Sequence, residues 1–421
     1  MRKWGENIFR KSIIPKRRPS AFKLIGIFII LFIVSAQLYL IFRKPDETKN
    51  IHIDEAIPEL KQKDIVPGFP EKSIKIISHE IDSLLERANK RYDFHGSLLV
   101  AKNGKKLYSR LIGYADFSEK NLLNEHSAFQ LASVSKQFTA TAILMLCEKG
   151  ALQLGDTITK YFPSLPYDRI TIMQLLNHSS GLAKYFWLAE HKWDNAKPPS
   201  NMEMIDLMAK ENLSLFFRPG AIFDYSNTGY LILAAIVEEV SGMKFGDFVE
   251  KNIFAPLDME DSFVYSFAHD SIHKNQLAGY RLYRRRYHIE IPGTVNDAVV
   301  GDKNVYSTAS DLLKWINGLN NYKLIKKKAL EKMYTKGETR YGRKISYGFG
   351  FRINDRKSEL EIYHDGKWNG FRNSIKQYPD NDMVIIFLEH TSYSSPNNII
   401  NKVRSIVEEN STLPFKKRNL P

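Results

Sequence analysis

The chain has 421 residues and a formal net charge of +14, and it is 43% hydrophobic and 26% charged. These values are ordinary for a globular protein and exclude a wholly disordered, collagen-like or many-span membrane chain. Cys147 is the single cysteine, which excludes an internal disulfide and a cysteine-rich metal site. The positive charge alone is compatible with nucleic-acid binding. Its distribution along the chain shows whether it forms a nucleic-acid-binding surface.

The N-terminal part of the chain predicts a membrane anchor. Residues 1–23 contain eight basic residues and one acidic residue, a net charge of +7, and residues 24–42 are 19 residues without a charge. A helix of that length spans roughly 28 Å, close to the thickness of a bilayer's hydrocarbon core. Because positive flanks stay in the cytoplasm, we predict a basic cytoplasmic segment (1–23), a single-pass transmembrane anchor (24–42) and an extracytoplasmic, periplasmic remainder.

A cleaved signal peptide is the alternative reading of this segment, because Ser35 and Ala36 are small residues. The long basic region and the length of the apolar run favour the uncleaved anchor. No cysteine stands directly behind the run, which excludes lipid attachment there. The other +7 is spread over 398 residues without a compact cluster, so we expect no nucleic-acid partner.

The remaining chain predicts one large domain behind a linker. Residues 43–72 are polar and contain four prolines, which is typical of a linker. A helix from Ser73 and a hairpin turning at Asn103-Gly104 precede a mostly helical middle, 128–335. Strands return in the segments 344–353, 360–366, 371–379 and 383–390, followed by a closing helix, 397–409, and a tail, 410–421.

This order of elements predicts an α+β fold over residues 73–409. Strands at both ends of the domain favour one antiparallel β-sheet that is flanked by helices and built from both chain ends. The helical middle is then an inserted all-α subdomain. Neither half alone would bury both faces of the sheet, so we expect a single folding unit with two lobes.

The first chemical signal is Ser133 with Lys136. Positions i and i+3 lie on one face of a helix, and a desolvated lysine has a lowered pKa that lets it accept a serine proton. Ser-x-x-Lys is common by chance and also occurs at Ser20, Ser241 and Ser271. Ser133 differs because a long apolar helix follows it. The alternative is that Ser133 only caps that helix.

Two further motifs occur once each. Tyr225-Ser226-Asn227 precedes an apolar helix, where the Tyr225 phenol can relay a proton and the Asn227 amide can orient a lysine or a substrate. His364-Asp365-Gly366 lies in a predicted strand, where glycine permits close approach of a ligand to the backbone. The alternatives are a helix cap at Ser226 or Asn227 and an ordinary half-buried histidine.

Together, these three motifs in this order resemble those of the penicillin-recognising serine enzymes, most closely the class C β-lactamase and DD-peptidase-like branch. The segments 170–182, 305–319 and 347–351 are similar as well, and the resemblance covers roughly residues 75–395. It implies a β-lactamase/transpeptidase-like fold with Ser133 as the acylated nucleophile. Lys136 and Tyr225 would exchange protons, Asn227 would orient, and His364 would stand where many relatives have lysine. The backbone N–H of Lys367, after Gly366, would pair with that of Ser133 as the oxyanion hole.

Departures from the family pattern bear on the substrate. Many relatives have Lys-Thr-Gly or Lys-Ser-Gly where this chain has His364 and Asp365. A histidine of ordinary pKa is mostly neutral at pH 7, and Asp365 adds negative charge where a substrate carboxylate would lie, unless Lys367 restores a positive one. We therefore expect uncharged esters, amides or peptides with a free amine. Asn304 stands where relatives often have glycine, with no assigned consequence.

The remaining candidates have simpler interpretations. Arg284-Arg285-Arg286 is typical of a solvated hairpin edge, and His178 of a loop-fixing residue, because no spacing typical of a metal site is present. Trp187 and Trp193 either line the cleft or pack at its rim. We expect no metal and no cofactor, and the oligomeric state stays open.

The sequence thus predicts a membrane-anchored serine hydrolase. It would cleave a small amide or ester substrate through an acyl-enzyme on Ser133, with a cell-wall peptide containing D-amino acids as one candidate. One alternative is a carboxylesterase with the same machinery. Another is a non-catalytic sensor or scaffold that binds cell-wall fragments, although such a binder has no need of all three of Ser133, Lys136 and Tyr225.

Overall fold

The computed structural model describes residues 66–267, 269–284, 287–356, 359–392 and 396–416. The predicted cytoplasmic segment and the predicted transmembrane anchor at 24–42 lie outside these residues, as does most of the predicted linker. Within the described ranges, no helix is both long enough and apolar enough to cross a membrane.

The helices and strands are as follows. The α-helices are α1 (Glu71–Tyr92), α2 (Lys136–Glu148), α3 (Ile172–Leu176), α4 (Tyr185–His191), α5 (Asn201–Glu211), α6 (Asn227–Ser241), α7 (Phe245–Val249), α8 (Ala309–Asn320), α9 (Lys327–Met333) and α10 (Pro396–Glu409). The strands are β1 (Gly96–Lys102), β2 (Lys105–Ile112), β3 (Tyr114–Asp116), β4 (Asn121–Leu122), β5 (Phe129–Gln130), β6 (Phe263–Val264), β7 (Tyr280–Tyr283), β8 (Tyr287–Glu290), β9 (Val305–Ser307), β10 (Gly337–Glu338), β11 (Lys344–Ile345), β12 (Arg352–Asn354), β13 (Glu361–Trp368), β14 (Phe371–Tyr378) and β15 (Met383–Glu389).

One six-stranded sheet joins the two ends of the domain, as predicted. Its strand order is β12-β13-β14-β15-β1-β2. The first and last strands of the chain meet at its centre, where β1 pairs antiparallel with β15 from Gly96 opposite Glu389 onwards. The β1–β2 hairpin turns at Asn103 and Gly104, both with positive φ, which is the geometry that Asn-Gly favours.

Helices cover both faces of this sheet, which explains why all seven residues of β15 are buried. On one face, α1 and α10 bury Ile77, Ile81 and Val403 against Leu98 and Phe387. The other face packs on the inserted lobe, whose central helices α2 and α6 are almost wholly buried. The motif of Ser133 and Lys136 therefore lies at the start of a helix between the sheet and the helical lobe.

The inserted lobe differs from the all-α prediction because it also contains short strands. β5, β9 and β6 form a three-stranded sheet, and β7 and β8 form a separate hairpin. Residues 129–130 and 305–307 are too few to show an alternating pattern in the sequence, so their pairing depends on tertiary contacts. Arg284 is exposed at the turn of the β7–β8 hairpin, consistent with a solvated edge.

The predicted strand 344–353 is wrong in its middle. Only its two ends are strands, β11 and β12, and the residues between them form a loop. Gly350 in this loop has φ +76°, and a Cβ there would lie 2.8 Å from the carbonyl oxygen of Lys136. The loop thus packs directly on the first residues of α2, an approach that only glycine permits.

Candidate active site

Ser133 and Lys136 lie together where β5 leads into α2. Ser133 is in a 3-10 turn, Ala132–Ser135, and Lys136 is the first residue of α2. The Lys136 Nζ is 3.3 Å from the Ser133 Oγ and donates to the backbone carbonyl of Asp302 at 2.7 Å. The lysine side chain is fully buried. Burial lowers the pKa of Lys136 to about 7; the Asp302 carboxylate opposes this shift, and the Arg352 charge adds to it.

Ser133 is not the cap of the helix. That position belongs to Ser135, whose hydroxyl instead accepts a hydrogen bond from the Val305 N–H at 3.0 Å. The residue before the nucleophile, Ala132, has φ +51°, a conformation that is strained for alanine and tends to occur at functional sites. The capping alternative therefore does not account for Ser133.

Tyr225 joins this pair from the loop that leads into α6. Its ring centroid lies 5.1 Å from the Lys136 Nζ. Its Oη is buried and has no hydrogen-bond partner of good geometry among the described residues. Burial raises the pKa of Tyr225 well above its ordinary value, while the nearby Ser133 hydroxyl and the Arg352 charge oppose the rise. The phenol is therefore protonated at neutral pH.

The loop before α6 positions this phenol. Ser226 is the helix cap, and its hydroxyl accepts from the Gly229 N–H. The Ser226 N–H donates to Nδ1 of His178, whose ring packs against Tyr225 at 4.2 Å between centroids. His178 thus fixes the loop, as the sequence suggested. Asn227 is the first residue of α6, and its Oδ1 is buried without a partner among the described residues; no hydrogen bond joins it to Lys136 there.

His364 lies behind Tyr225 on β13 and is fully buried rather than half-buried. Its Nδ1 lies 2.7 Å from the Asp365 carbonyl and its Nε2 lies 3.0 Å from the Tyr347 Oη. The carbonyl can only accept, so Nδ1 carries the proton and Nε2 accepts from Tyr347. Burial, with the charges of Lys136 and Arg352, holds the pKa of His364 well below its ordinary value. His364 is therefore a neutral residue in this site.

Gly366 brings β13 close to the nucleophile turn. A Cβ at this position would lie 2.2 Å from the carbonyl oxygen of Leu131, so any other residue would push the strand away. Strand β12 pairs with β13 only as far as Tyr363. The edge of β13 that continues past Gly366 to Lys367 therefore has no strand partner on that side among the described residues.

The expectation for Asp365 is wrong. Side chains alternate along a strand, and His364 and Gly366 are buried whereas Asp365 and Lys367 are exposed on the other face. The Asp365 Oδ1 accepts from the hydroxyl of Ser374, its cross-strand partner, at 2.6 Å. Neither the negative charge of Asp365 nor the side-chain charge of Lys367 faces the nucleophile.

Arg352 is a site residue that sequence reasoning missed. Its Cζ lies 5.2 Å from the Tyr225 ring centroid and 5.9 Å from that of Tyr347. The guanidinium thus lies against these two aromatic rings. Its charge helps to lower the pKa values of Lys136 and His178. The one feature of the sequence that pointed to Arg352 is its position directly after residues 347–351, a segment that resembles the family.

The aromatic residues near the site also differ from those considered in the sequence. Trp187 is exposed and stacks on His191, and Trp193 donates its Nε1–H to the Lys197 carbonyl. Phe186 and Trp368 instead pack together, 5.1 Å apart, with a buried lysine, Lys303, beneath them. Trp368 is the last residue of β13, the strand that carries His364-Asp365-Gly366, and no motif in the sequence distinguished it.

One group of potential metal ligands comes together in the described part of the chain: Asp93, His95 and His288. The Asp93 carboxylate is 3.2 Å from Nε2 of His95 and 2.7 Å from Nε2 of His288. Nδ1 of His95 accepts from the Tyr114 N–H, so its Nε2 carries the proton and donates to Asp93. This geometry is a hydrogen-bonded cluster that joins α1 to the β7–β8 hairpin.

Comparisons with known proteins agree with this fold. The family model described as Beta-lactamase matches residues 81–406. Penicillin-binding protein 4* of Bacillus subtilis (strain 168) is 33% identical over 325 residues, which cover 74% of this chain and 71% of that protein.

Two solved structures share the fold. The penicillin binding protein from Bacillus halodurans has a TM-score of 0.67 at 23% identity, covering 76% of this chain and 98% of that one. The D-amino acid amidase from Ochrobactrum anthropi SV3 has a TM-score of 0.66 at 22% identity, covering 80% of this chain and 99% of that one. The family match and the length of the Bacillus subtilis alignment confirm the predicted resemblance, and the chain belongs to the beta-lactamase family of serine hydrolases.

Proposed function

We propose that this serine hydrolase cleaves an amide or ester through an acyl-enzyme on Ser133 and acts on the outer side of the membrane to which residues 24–42 anchor it. The observation that carries the catalytic part is the buried Lys136 amine, 3.3 Å from the Ser133 Oγ, with a pKa lowered to about 7. At neutral pH such an amine can accept a proton from the hydroxyl that it contacts.

The acylation step follows from these protonation states. Neutral Lys136 has one lone pair for the Ser133 proton and N–H groups to donate to the Asp302 carbonyl. As Oγ attacks the substrate carbonyl, the proton passes to Lys136, and the oxyanion meets the backbone N–H groups of Ser133 and Lys367. The protonated Tyr225 then gives its proton to the leaving nitrogen or oxygen as the bond to the carbonyl carbon breaks. Lys136 returns a proton to the phenolate.

Deacylation repeats these transfers with water in place of the leaving group. As water attacks the acyl carbon, it gives a proton to the Tyr225 hydroxyl while that hydroxyl passes its own proton to Lys136. Lys136 then returns a proton to the Ser133 oxygen as the ester bond breaks. The raised pKa of Tyr225 and the lowered pKa of Lys136 favour Lys136 as the base for Ser133. We therefore assign Lys136 as the general base and Tyr225 as the acid for the leaving group. His364 would hold the Tyr225 phenol in position, and Asn227 would orient the substrate amide.

The substrate we propose is a peptide containing D-amino acids, with a carboxylate on its leaving group. Arg352 supports this choice because its guanidinium lies beside the phenol that serves the leaving group and has no acidic partner among the described residues. Arginine binds carboxylates through two parallel hydrogen bonds. The exposed position of Asp365 on the opposite face removes the main objection to an anionic substrate.

The experiment that tests this proposal uses the full-length chain in a mild detergent. It is incubated with p-nitrophenyl esters, D-amino-acid anilides, D-Ala-D-Ala peptides and a chromogenic cephalosporin, and the intact mass is followed. We expect turnover of an amide or ester with an adduct that Ser133→Ala abolishes. Ser241→Ala is the matched control, since Ser241 and Lys244 have the same spacing in a different part of the chain.

The two alternatives give different results in this panel. Turnover of esters without any amide identifies a carboxylesterase. An intact, folded protein with neither turnover nor a Ser133-dependent adduct overturns the hydrolase in favour of a sensor or scaffold.

The membrane topology is tested separately. Protease added to intact spheroplasts should remove the domain that contains Ser133, because the +7 charge before residue 24 favours a cytoplasmic N-terminus. A domain that stays protected until the membrane is opened would contradict the proposed topology.

A further inference from the structure

A second buried lysine lies next to the proposed active site. Lys303 is 2% exposed, and its Nζ donates to the Tyr185 Oη at 2.6 Å and pairs with the Asp302 carboxylate at 3.3 Å. The rings of Tyr185, Phe186 and Trp368 surround this ammonium at 5.3–5.4 Å. Burying a charged lysine costs folding free energy unless the charge is paired. The aspartate, the tyrosine hydroxyl and the three rings around Lys303 therefore suggest that this lysine has a role in the protein.

Asp302 connects this lysine to the proposed general base. Its carbonyl accepts from the Lys136 Nζ, while its two carboxylate oxygens accept from Lys303 and from the Tyr185 hydroxyl. Asp302 is fully buried. Two lysines therefore share one aspartate: Lys136 contacts its backbone and Lys303 contacts its side chain.

The charges around the Lys136 amine come from several elements. Asp302 raises the pKa of Lys136, whereas burial and Arg352 lower it. Burial lowers the pKa of Lys303, the Asp302 and Asp297 carboxylates oppose this shift, and repulsion from Lys136 adds a smaller lowering. The same repulsion disfavours a proton on Lys136 whenever Lys303 is charged. The groups that face the amine come from seven elements: Ser133 from the turn before α2, Tyr225 from the loop before α6, Tyr230 from α6, His178 from the loop after α3, Asp302 and Lys303 from the loop before β9, Arg352 from β12 and His364 from β13.

We propose that Lys303 is a positioning residue for Lys136: it neutralises the Asp302 carboxylate that would otherwise hold a proton on the Lys136 amine, and it fixes the carbonyl that orients this amine toward Ser133. Without Lys303, the buried carboxylate would draw a proton onto Lys136 and remove the base for acylation. This inference rests on the proposed function, because it assumes that Lys136 accepts the Ser133 proton.

The test compares the pH dependence of Ser133 acylation in a small set of variants. An uncharged p-nitrophenyl ester reports the acylation rate of the full-length chain from about pH 5.5 to about pH 10, across the range in which a shifted lysine titrates. Lys303→Met removes the charge and keeps the apolar length of the side chain. Lys303→Arg keeps the charge, and Asp302→Asn removes the carboxylate and keeps the backbone carbonyl.

We expect the midpoint of the acid limb in Lys303→Met to rise by about one pH unit, which makes acylation about fivefold slower at pH 7, about tenfold slower well below pH 7, and nearly parental at high pH. Lys303→Arg should keep the midpoint of the parent. In Asp302→Asn the midpoint should fall instead, and adding Asp302→Asn to Lys303→Met should reverse the rise. A Lys303→Met rate that is reduced by the same factor at every pH would overturn the proposal, because it would mean that Lys303 acts only through packing.

The failure of the proposed function can be told apart from the failure of this inference. If no probe acylates Ser133 in the folded parent protein, the hydrolase assignment is wrong. Lys136 can then be titrated directly by carbon-13 NMR of lysine-labelled protein, with its signal assigned by Lys136→Met. A Lys136 titration midpoint that Lys303→Met leaves unchanged would contradict the inference whatever the activity.

Discussion

At the scale of single residues, the active-site lysine is held in a protonation state that destabilises the fold. Lys136 is fully buried, and its pKa of about 7 lies far below the ordinary value of 10.5. In the pH range between these two values, the unfolded chain binds a proton that the folded chain lacks. The contribution of Lys136 to the free energy of unfolding therefore rises with pH over that range. It is lowest below pH 7, where the folded protein keeps a charged amine buried.

This linkage predicts a pH-dependent effect of Lys136→Met. The variant should be more stable than the parent at pH 7, and the difference should shrink between about pH 7 and pH 10.5, by at most about 1.4 kcal/mol per pH unit. Thermal unfolding of both proteins across this range measures the difference. The exposed Lys328→Met serves as the control, with a small and constant difference. A constant difference for Lys136→Met would contradict the lowered pKa.

Arg352 gives a second prediction at this scale, about substrate charge. Arg352→Gln should lower kcat/KM for peptides with a C-terminal carboxylate by about 10- to 100-fold, the effect of one lost charged hydrogen-bonding partner. The same peptides with an amidated C-terminus should lose far less. Arg352→Lys should recover part of the loss, because it restores charge without the planar pair of donors. Equal losses for both peptides would mean that Arg352 acts on Tyr225 and not on the substrate.

At the scale of secondary-structure elements, the site depends on how closely β13 approaches the nucleophile turn. The strand passes the Leu131 carbonyl at a distance that leaves no room for a Cβ on Gly366. The edge of β13 beyond Tyr363 is not paired with β12, and this open edge would let the Lys367 N–H serve as the proposed oxyanion donor. Two elements far apart in the chain thus have to meet for an oxyanion hole to form.

Gly366→Ala is expected to separate these elements. Overpacking of this kind costs about 1–3 kcal/mol of stability, and a misplaced oxyanion donor lowers the acylation rate by about 10²–10³-fold. The matched control is Gly155→Ala, where no atom lies within 4 Å of the added Cβ and the backbone is not left-handed. Acylation rates and thermal unfolding of both variants make the comparison. Near-parental acylation in Gly366→Ala would exclude the proposed role of this strand edge.

At the scale of the whole molecule, the two ends of the domain close one sheet. β1 and β2 are completed by β15, and α1 packs with α10 on the same face. The helical lobe packs its α2 and α8 against the opposite face of these strands. The core is therefore shared between segments from both ends of the domain, which favours cooperative unfolding.

A truncation tests this cooperativity. A chain that ends at Asp382 lacks β15 and α10, and we expect it to lose the sharp thermal transition of the helical lobe as well as that of the sheet. Circular dichroism during heating measures both. A chain that ends at Lys416 is the control and should unfold like the parent. A cooperative helical transition that survives the longer truncation would show that the inserted lobe folds independently.

Much of the site could be predicted from the sequence because its motifs are local. Ser133 with Lys136, Tyr225 with Asn227, and His364 with Gly366 each lie within four residues, so spacing alone indicates which side chains can act together. The hairpin at Asn103-Gly104 and the long strands β13, β14 and β15 were predicted for the same reason. The comparisons confirm the family, whereas the role of each residue stays a prediction.

Only the tertiary structure decided which charges face the nucleophile. Asp365 is adjacent to His364 in sequence, but strand alternation places it on the opposite face. Arg352 and Lys303 have no motif, and they reach the site because β12 and the loop before β9 pack beside α2. Local spacing determines which residues can form a catalytic group, whereas long-range packing determines the electrostatic environment in which that group works, since burial and distant charges set its pKa values.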